Sequence, residues 1–176
     1  GLPNLCLNKE VPGTGNWVGT MAGYFRADAG ITYKLGEDTS LRLGCLAEPL
    51  AVAAHAVAQG QVRPGSRALV LGGGTIGLLT ALAAKIVGAE TVVLTDLYDH
   101  KLWVAEEVGI DDARNARRED LSEALLQDYP EKFETVLLAS GAPPVMEQAM
   151  ALVQRGGRII VTALFLEQTP VDLLQI

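Results

Sequence analysis

The sequence predicts a doubly wound α/β fold, in which helices cover both faces of a parallel sheet. From Arg67 onward, apolar strand segments alternate with helical segments. The strand segments are runs of Val, Leu and Ile without polar alternation, as expected for strands that are buried on both faces. The first strand segment runs directly into a cluster of glycines. In this fold class, a glycine-rich turn between a strand and a helix lets a ligand come close to the backbone.

The predicted strands are short apolar runs, and the third is the weakest of them. They cover residues 68–71, 91–95, 113–115, 135–139 and 158–162. The helices between them follow from their start and stop signals, since Gly88 ends the first, Asp120 caps the third and Pro143 starts the fourth. Gly156 and Gly157 are expected to end the fourth helix. These helices cover residues 75–87, 99–108, 121–127 and 143–153.

The chain before Arg67 has a different character. Residues 1–35 hold six glycines between short apolar pieces, so loops and short strands are expected there. A helical turn through Ala47 can be capped by Thr39 or Ser40, and the Ala-rich run after Pro49 predicts a helix that ends at Gly60.

The composition limits the class of partner. The chain has 176 residues with a formal net charge of −7, and 49% of its residues are hydrophobic. It is therefore a globular domain without the basic surface that nucleic acid or an anionic membrane needs, and neither is an expected partner. The longest uncharged run has 17 residues and contains three consecutive glycines, so no membrane span is expected.

The cellular location and the oligomeric state are predicted from the cysteine content and the mean hydropathy. Two cysteines and no export signal predict reduced thiols and a cytoplasmic protein. The mean hydropathy is high for a domain of this size, which favours an apolar surface that meets either another subunit or a segment that this chain lacks, and a homo-oligomer is expected. A well-buried α/β core would explain the same hydropathy.

The glycine cluster 72–77, GGGTIG, lies at the turn between the first strand and the first helix of the alternating region. Gly72 permits a tight turn. Because Gly74 has no side chain, a pyrophosphate can approach the backbone, and Gly77 lets the helix pack close to the strand. The N–H groups and dipole of the helix that begins at Thr75 then stabilise the negative charge.

Asp96 ends the second strand, 19 residues after Gly77, where a carboxylate can accept two hydrogen bonds from an adenosine ribose. An acid there repels a 2′-phosphate, and neither Leu97 nor Tyr98 supplies an arginine to compensate, so NAD is favoured over NADP. Two alternatives stay open. One is a structural glycine turn with a chance acid, and the other is an S-adenosylmethionine-dependent methyltransferase, which needs only a G-x-G core.

With these residues in place, the chain resembles the zinc-type medium-chain alcohol and polyol dehydrogenases, the group that includes sorbitol, threonine and butanediol dehydrogenases. The resemblance covers nearly the whole chain. Its most specific segments are residues 48–56, 62–65, 69–77, 140–143 and 156–159, and residues 3–6 look like the end of that family's structural-zinc lobe.

The resemblance implies a division of the chain and a chemistry. Residues 48–176 would form a Rossmann NAD-binding domain that lacks its sixth strand, and residues 1–47 would be a remnant of the GroES-like catalytic domain. The family transfers a hydride from a secondary alcohol to NAD while zinc polarises the alcohol oxygen. The zinc ligands lie in a domain that this chain does not contain, so zinc is expected in the complete enzyme only and the chain alone is expected to be inactive.

The resemblance also assigns roles to residues. It gives Glu48 a catalytic role near the zinc, although a glutamate at a helix start can equally be an electrostatic cap. It places Lys101 on the adenosine ribose, where an ordinary solvated lysine is the alternative. No metal site is expected in this chain, because Cys6 would be a single ligand of four. The expected cofactor-binding residues are Gly72, Gly74, Thr75, Ile76, Gly77, Asp96, Lys101, Ser140, Gly141, Thr162, Ala163 and Leu164.

Three functions are consistent with these residues. The first is the nucleotide-binding part of a zinc-dependent NAD dehydrogenase for small alcohols or polyols. The second is an NAD-binding or interaction module without catalysis. The third is the methyltransferase named above.

Overall fold

The computed structural model describes residues 5–118, 120–172 and 174. The chain divides into two compact units, Gly1–Gly44 and Cys45–Ile176. The described part of the first unit consists of turns and bends, a 3-10 helix at Ala29–Ile31 and helix α1 at Leu41–Gly44. It contains no strand among those residues, so the expectation of short strands there was wrong. Its apolar pieces are broken too often by glycine to form a paired ladder.

The second unit alternates strands and helices from Arg67 onward, as predicted. Its longest helix, α2, has 13 residues, and no described helix is both long and apolar enough to cross a membrane. The elements in chain order are α2 (Ala47–Gln59), β1 (Arg67–Leu71), α3 (Thr75–Ile86), β2 (Thr91–Asp96), α4 (Asp99–Glu107), β3 (Asp112–Asn115), α5 (Leu121–Asp128), β4 (Phe133–Leu138), α6 (Pro143–Leu152) and β5 (Val153–Val161).

The five strands form one parallel sheet in the order β3-β2-β1-β4-β5. This confirms the doubly wound, Rossmann-like class. The order reverses between β1 and β4, because the chain crosses outward from β1 to β3 and then returns to the other side of β1. Ligands of such sheets bind outside the carboxyl ends of the strands at this reversal.

The core consists of two apolar layers, one on each face of the sheet. On one face, Val70 of β1 and Leu94 of β2 pack with the alanines of α2 and α3 and with Leu102 of α4. On the other face, Leu69 and Leu71 of β1 pack with side chains of α5 and α6. The absence of polar alternation in the strands is thereby explained, since both faces are covered.

Strand β5 begins earlier than the sequence indicates. Helix α6 ends at Leu152 and β5 starts at Val153, so the two glycines that were expected to end the helix lie inside the strand. The register jumps between the first and second residue pairs of β4 and β5, and Gly156 has a φ of +74° in this irregular stretch. The prediction failed because glycines that permit a bulge look the same in sequence as glycines that stop a helix.

Gly77 holds α3 close to the end of β1. A Cβ atom at this position would overlap the carbonyl oxygen of Gly72 and would lie 3.2 Å from the Cβ of Ala139. The start of the helix can therefore reach the strand only if residue 77 has no side chain. The predicted role of Gly77 in close helix–strand packing agrees with this geometry.

We expect Gly77→Ala to lower the free energy of unfolding by about 2–3 kcal/mol, because the added methyl group must push the helix away from β1. Alanine normally stabilises a helix relative to glycine. A decrease in the free energy of unfolding would therefore show that the methyl group clashes with the strand. Urea unfolding followed by circular dichroism measures the change. Gly74→Ala is the matched control, since its Cβ would have no neighbour within 4 Å. A Gly77→Ala protein as stable as this control would contradict the packing argument.

Candidate functional site

The turn after β1 has a backbone that other groups can approach closely. Gly72 has a φ of +115°, and its N–H donates to the carbonyl oxygen of Thr95 at 2.9 Å. A Cβ at Gly72 would lie 3.0 Å from the Cβ of Ser140. The turn therefore needs glycine both for its backbone conformation and for the space that the loop after β4 leaves.

The start of α3 is open to a ligand. Gly74 is the N-cap residue and no side chain caps the helix. A Cβ on Gly74 would project into empty space, and Thr75 beside it is exposed while Ile76 is half-buried. The first N–H groups of the helix and the positive end of its dipole thus face an unobstructed surface, which is the geometry that binds a diphosphate.

Asp96 points toward this helix entrance. Its Oδ2 accepts hydrogen bonds from the Gly73 N–H at 2.8 Å and from the Lys101 ammonium at 3.1 Å, and its Oδ1 accepts one from the Tyr98 N–H at 3.0 Å. The side chain is 8% exposed. A carboxylate offers about four acceptor positions, so a ribose can add one hydrogen bond. A second ribose bond has to replace one of the existing three.

These contacts set the charge of Asp96. Burial by itself raises the pKa of its carboxyl, but the hydrogen bonds from Gly73, Lys101 and Tyr98 outweigh burial and hold the pKa below its ordinary value of 3.8. The group is therefore a carboxylate at neutral pH. Its ion pair with Lys101 compensates the charge locally and positions the lysine beside the acid.

The loops after β4 and β5 touch each other at the same edge. A Cβ on Gly141 would overlap the carbonyl oxygen of Leu164. Ser140, one residue earlier, accepts a hydrogen bond from the Ala142 N–H at 3.4 Å. The glycine is thus required where the two loops cross, and Leu164 itself is 86% exposed.

The end of β5 is fixed to the end of β4. The carbonyl oxygen of Leu138 accepts hydrogen bonds from the Thr162 N–H at 3.0 Å, the Thr162 hydroxyl at 2.8 Å and the Ala163 N–H at 3.1 Å. This anchoring holds Thr162 and Ala163 at the carboxyl edge of the sheet beside the loop after β4.

The structure brings most of the predicted site residues into one arc of contacts. Asp96 touches Gly73, Gly72 lies against Ser140, and Gly141 lies against Leu164. The arc follows the carboxyl ends of β2, β1, β4 and β5 and crosses the point where the strand order reverses. Glu48 takes part in none of the contacts just named. It is exposed in the first turn of α2, where its charge stabilises the helix start, and its catalytic role stays a prediction.

Three residues in the neighbourhood of Asp96 and Tyr98 are not among the predicted site residues. Gly73 supplies the N–H that orients Asp96, and Tyr98 supplies another. Arg117, which follows β3, lies 5.0 Å from the centroid of the Tyr98 ring. The run of glycines was a signal for the first, but nothing local in the sequence links Arg117 to Asp96. Leu97 and Tyr98, from which no compensating arginine was predicted, are only the chain neighbours of Asp96, whereas Arg117 follows a different strand.

The described part of the chain does not bring a zinc ligand set together. Within residues 5–118, 120–172 and 174, no three His, Cys, Asp or Glu side chains come together as a metal site. Cys6 and Cys45 are exposed and form no disulfide. Pro3 and Asn4, which with Cys6 carried the resemblance to a structural-zinc lobe, lie outside the described residues.

The lowered pKa of Asp96 predicts a pH-dependent stability. The carboxylate stabilises the folded chain fully above its ordinary, unfolded pKa of 3.8, and this contribution is lost as the pH falls through the folded pKa. Asp96→Asn should therefore cost about 2 kcal/mol at pH 7 and less at pH 3, as measured by urea unfolding. The exposed Glu107→Gln is the control and should change stability by less than about 0.5 kcal/mol. An equal cost of Asp96→Asn at both pH values would contradict this account.

Known proteins resemble this chain in sequence and in fold. Residues 75–176 match the zinc-binding dehydrogenase family. Human sorbitol dehydrogenase is 33% identical over 89% of this chain and 44% of its own length. An Escherichia coli oxidoreductase/dehydrogenase of unknown specificity superposes with a TM-score of 0.94 at 30% identity, over 98% of this chain and 50% of that one.

A second solved structure contains a bound nucleotide. A zinc-binding dehydrogenase from Sinorhizobium meliloti, bound to NADP, superposes with a TM-score of 0.72 at 30% identity, over 75% of this chain and 40% of that one. The first three curated relatives are matched over 50%, 41% and 51% of their own length, so the chain spans about half of them. The match to the family over residues 75–176, together with these relatives, shows that the chain belongs to the zinc-binding dehydrogenases.

Proposed function

We propose that the chain is the nucleotide-binding part of an NAD-dependent, zinc-type alcohol or polyol dehydrogenase. The observation that carries the proposal is the pairing of an uncapped helix start at Gly74 with the Asp96 carboxylate, which is bonded to the neighbouring Gly73 N–H. Diphosphate and ribose are the two groups that this combination recognises. The likeness to human sorbitol dehydrogenase supports a polyol or another small alcohol as the substrate of the whole enzyme.

Each part of the arc would hold one part of the nucleotide. The start of α3, at Thr75 and Ile76, would bind the diphosphate through backbone N–H groups. Asp96 and Lys101 would bind the adenosine ribose through its hydroxyls. The nicotinamide side is assigned to the loops after β4 and β5, at Ser140, Gly141 and 162–164. When bound, NAD supplies the hydride acceptor, and the residues of this chain bind and orient it.

The preference for NAD over NADP belongs to the proposal. A charged Asp96 repels a 2′-phosphate, and hydrogen bonds keep this acid charged at neutral pH. The Sinorhizobium meliloti relative was solved with NADP, so the family does not decide the choice. The charge of Asp96 supports NAD for this chain.

The remaining assignments concern the whole enzyme. We propose that residues 1–47 are a remnant of its catalytic domain and that Glu48 acts near the zinc. The zinc ligands would be residues that the described part of this chain does not bring together. A homo-oligomer and a cytoplasmic location stay predictions from the composition.

Titration calorimetry with NAD and NADH tests nucleotide binding. We expect NAD to bind and Gly74→Val to abolish binding, because the larger side chain occupies the space where the diphosphate meets the backbone. The stability of this variant should stay within about 1 kcal/mol, since the side chain meets no neighbour. Ile86→Ala is the matched control at the far end of α3 and should bind NAD normally. Tight binding of S-adenosylmethionine with no response to NAD would instead favour a methyltransferase.

An assay of alcohol oxidation tests whether this chain oxidises an alcohol by itself. With NAD, added zinc and sorbitol or 2,3-butanediol, we expect the chain to produce no NADH above the background absorbance change at 340 nm. The physical reason is that no metal site gathers among the described residues. NADH formation that depends on Glu48 would contradict the assignment of the chain as a binding part only.

A further inference from the structure

Strand β3 forms one edge of the sheet. It stands at the end of the strand order, and β2 is its partner on the inner side. A groove with a volume of about 560 Å³ runs along its outer side, with α4 as the other wall. An edge strand of this kind offers backbone hydrogen bonds to another chain. The residues of β3 decide which chain fits this edge.

The backbone of Ala113 faces the groove. The Ala116 N–H donates to the carbonyl oxygen of Asp96, at the end of β2, at 3.0 Å. In a parallel ladder, every second residue of a strand directs both its N–H and its C=O to the same neighbouring strand. Arg114 and Asp112 therefore bond toward β2 as Ala116 does. Ala113 lies between them, so its N–H and C=O point outward.

The side chains on either side of Ala113 carry opposite charges. Asp112 and Arg114 point to the same face of the sheet, and their side chains form an ion pair at 2.7 Å. Arg114 also pairs with Asp128 at 2.6 Å, and the Tyr129 hydroxyl donates to Asp112 at 2.9 Å. These contacts fix both charged groups at the edge, where each stays about one-fifth exposed. The strand thus presents one negative and one positive charge, placed symmetrically about Ala113.

We propose that the groove receives a second copy of this chain, whose β3 pairs antiparallel to β3 about a two-fold axis beside Ala113. The Ala113 N–H then donates to the carbonyl oxygen of the partner's Ala113, and the partner's N–H donates back. In this register Asp112 faces the partner's Arg114, and Arg114 faces the partner's Asp112. The two five-stranded sheets join into one continuous sheet. The inference does not depend on the proposed nucleotide site.

The charges select both the partner and the register. Charged residues normally keep an edge strand from pairing with an arbitrary chain, because such a chain leaves them without a counterpart. A second copy supplies the counterpart to each charge, as a two-fold interface requires. If the axis moved by two residues toward the start of the strand, Asp111 would face the partner's Asp111. Moved the other way, Arg114 would face the partner's Ala116 and lose its cross-strand pair.

Trp103 adds apolar surface to the same groove. Its side chain is 60% exposed on the α4 wall, next to the buried Leu102. Ala113 packs on this face of the sheet, and two alanine side chains at the axis leave room for a large ring on either side. Aromatic residues are enriched in the cores of protein interfaces. Pairing of the strands would therefore cover an aromatic side chain that the single chain leaves in water.

Sedimentation velocity of the whole chain at increasing concentration tests the dimer. We expect a species of 18.6 kDa at low concentration and one of twice that mass at high concentration. Ala113→Pro should raise the dissociation constant of the dimer at least about tenfold, because it removes the outward N–H and leaves the bonds to β2 intact. Ala113→Ser is the matched control, since it keeps this N–H, and the constant should stay within about twofold.

A charge exchange tests the register. Asp112→Arg gives β3 two positive charges and Arg114→Asp gives it two negative ones, so each variant alone should remain monomeric. An equimolar mixture of the two should form dimers again, because opposite charges then face each other across the axis. A defect in folding would not be repaired by mixing. Far-UV circular dichroism checks that each variant is folded, and if either is not, Ala113→Pro and Ala113→Ser decide the matter.

Three results would overturn the proposal. The unmodified chain could remain a monomer at every concentration. It could form a dimer whose dissociation constant is the same in Ala113→Pro and Ala113→Ser, which would place the interface on another surface. Folded Asp112→Arg and Arg114→Asp chains could stay monomeric when mixed, which would mean that these charges act only within one chain. None of these results bears on nucleotide binding.

Discussion

The structure depends on one close approach, between the backbone of α3 at Gly77 and the carbonyl of Gly72. No side chain fits between them, so the helix begins immediately beyond the end of β1. This position brings the positive end of the helix to the carboxyl edge of the sheet, where the strand order reverses. The turn that results also presents the Gly73 N–H to Asp96. A packing requirement and an electrostatic one are thus met by the same few backbone atoms.

The electrostatics of the edge follow from this geometry. Asp96 lies in a site that penalises charge, yet three donors hold it ionised, and two of them are backbone N–H groups that folding positions without any side-chain entropy. The acid is consequently charged and oriented before any ligand arrives. The Lys101 ammonium and the Arg117 guanidinium lie within 5.2 Å of the Tyr98 ring centroid. This edge of the sheet therefore combines one ionised carboxylate with two nearby cations.

Features that depend on local sequence could be predicted, and features that depend on distant pairing could not. The glycine turn, Asp96 and the alternation of strands and helices each follow from residues that are neighbours in the chain, and the sheet order agrees with them. Arg117 reaches Tyr98 only because β3 pairs beside β2, which is a contact between segments about 20 residues apart. The start of β5 was misplaced because a bulge and a helix stop use the same residue. The catalytic role predicted for Glu48 depends on zinc ligands, and the residues around Glu48 form no pattern that identifies those ligands.

The carbonyl of Leu138 has a surplus of donors. It receives two N–H groups and one hydroxyl from Thr162 and Ala163, although an amide oxygen has only two lone pairs. The Thr162 hydroxyl, unlike the two backbone N–H groups, can rotate toward another acceptor while the carbonyl keeps both of its N–H partners. The end of β5 can therefore lose this one hydrogen bond and still keep the backbone bonds that fix the strand to β4.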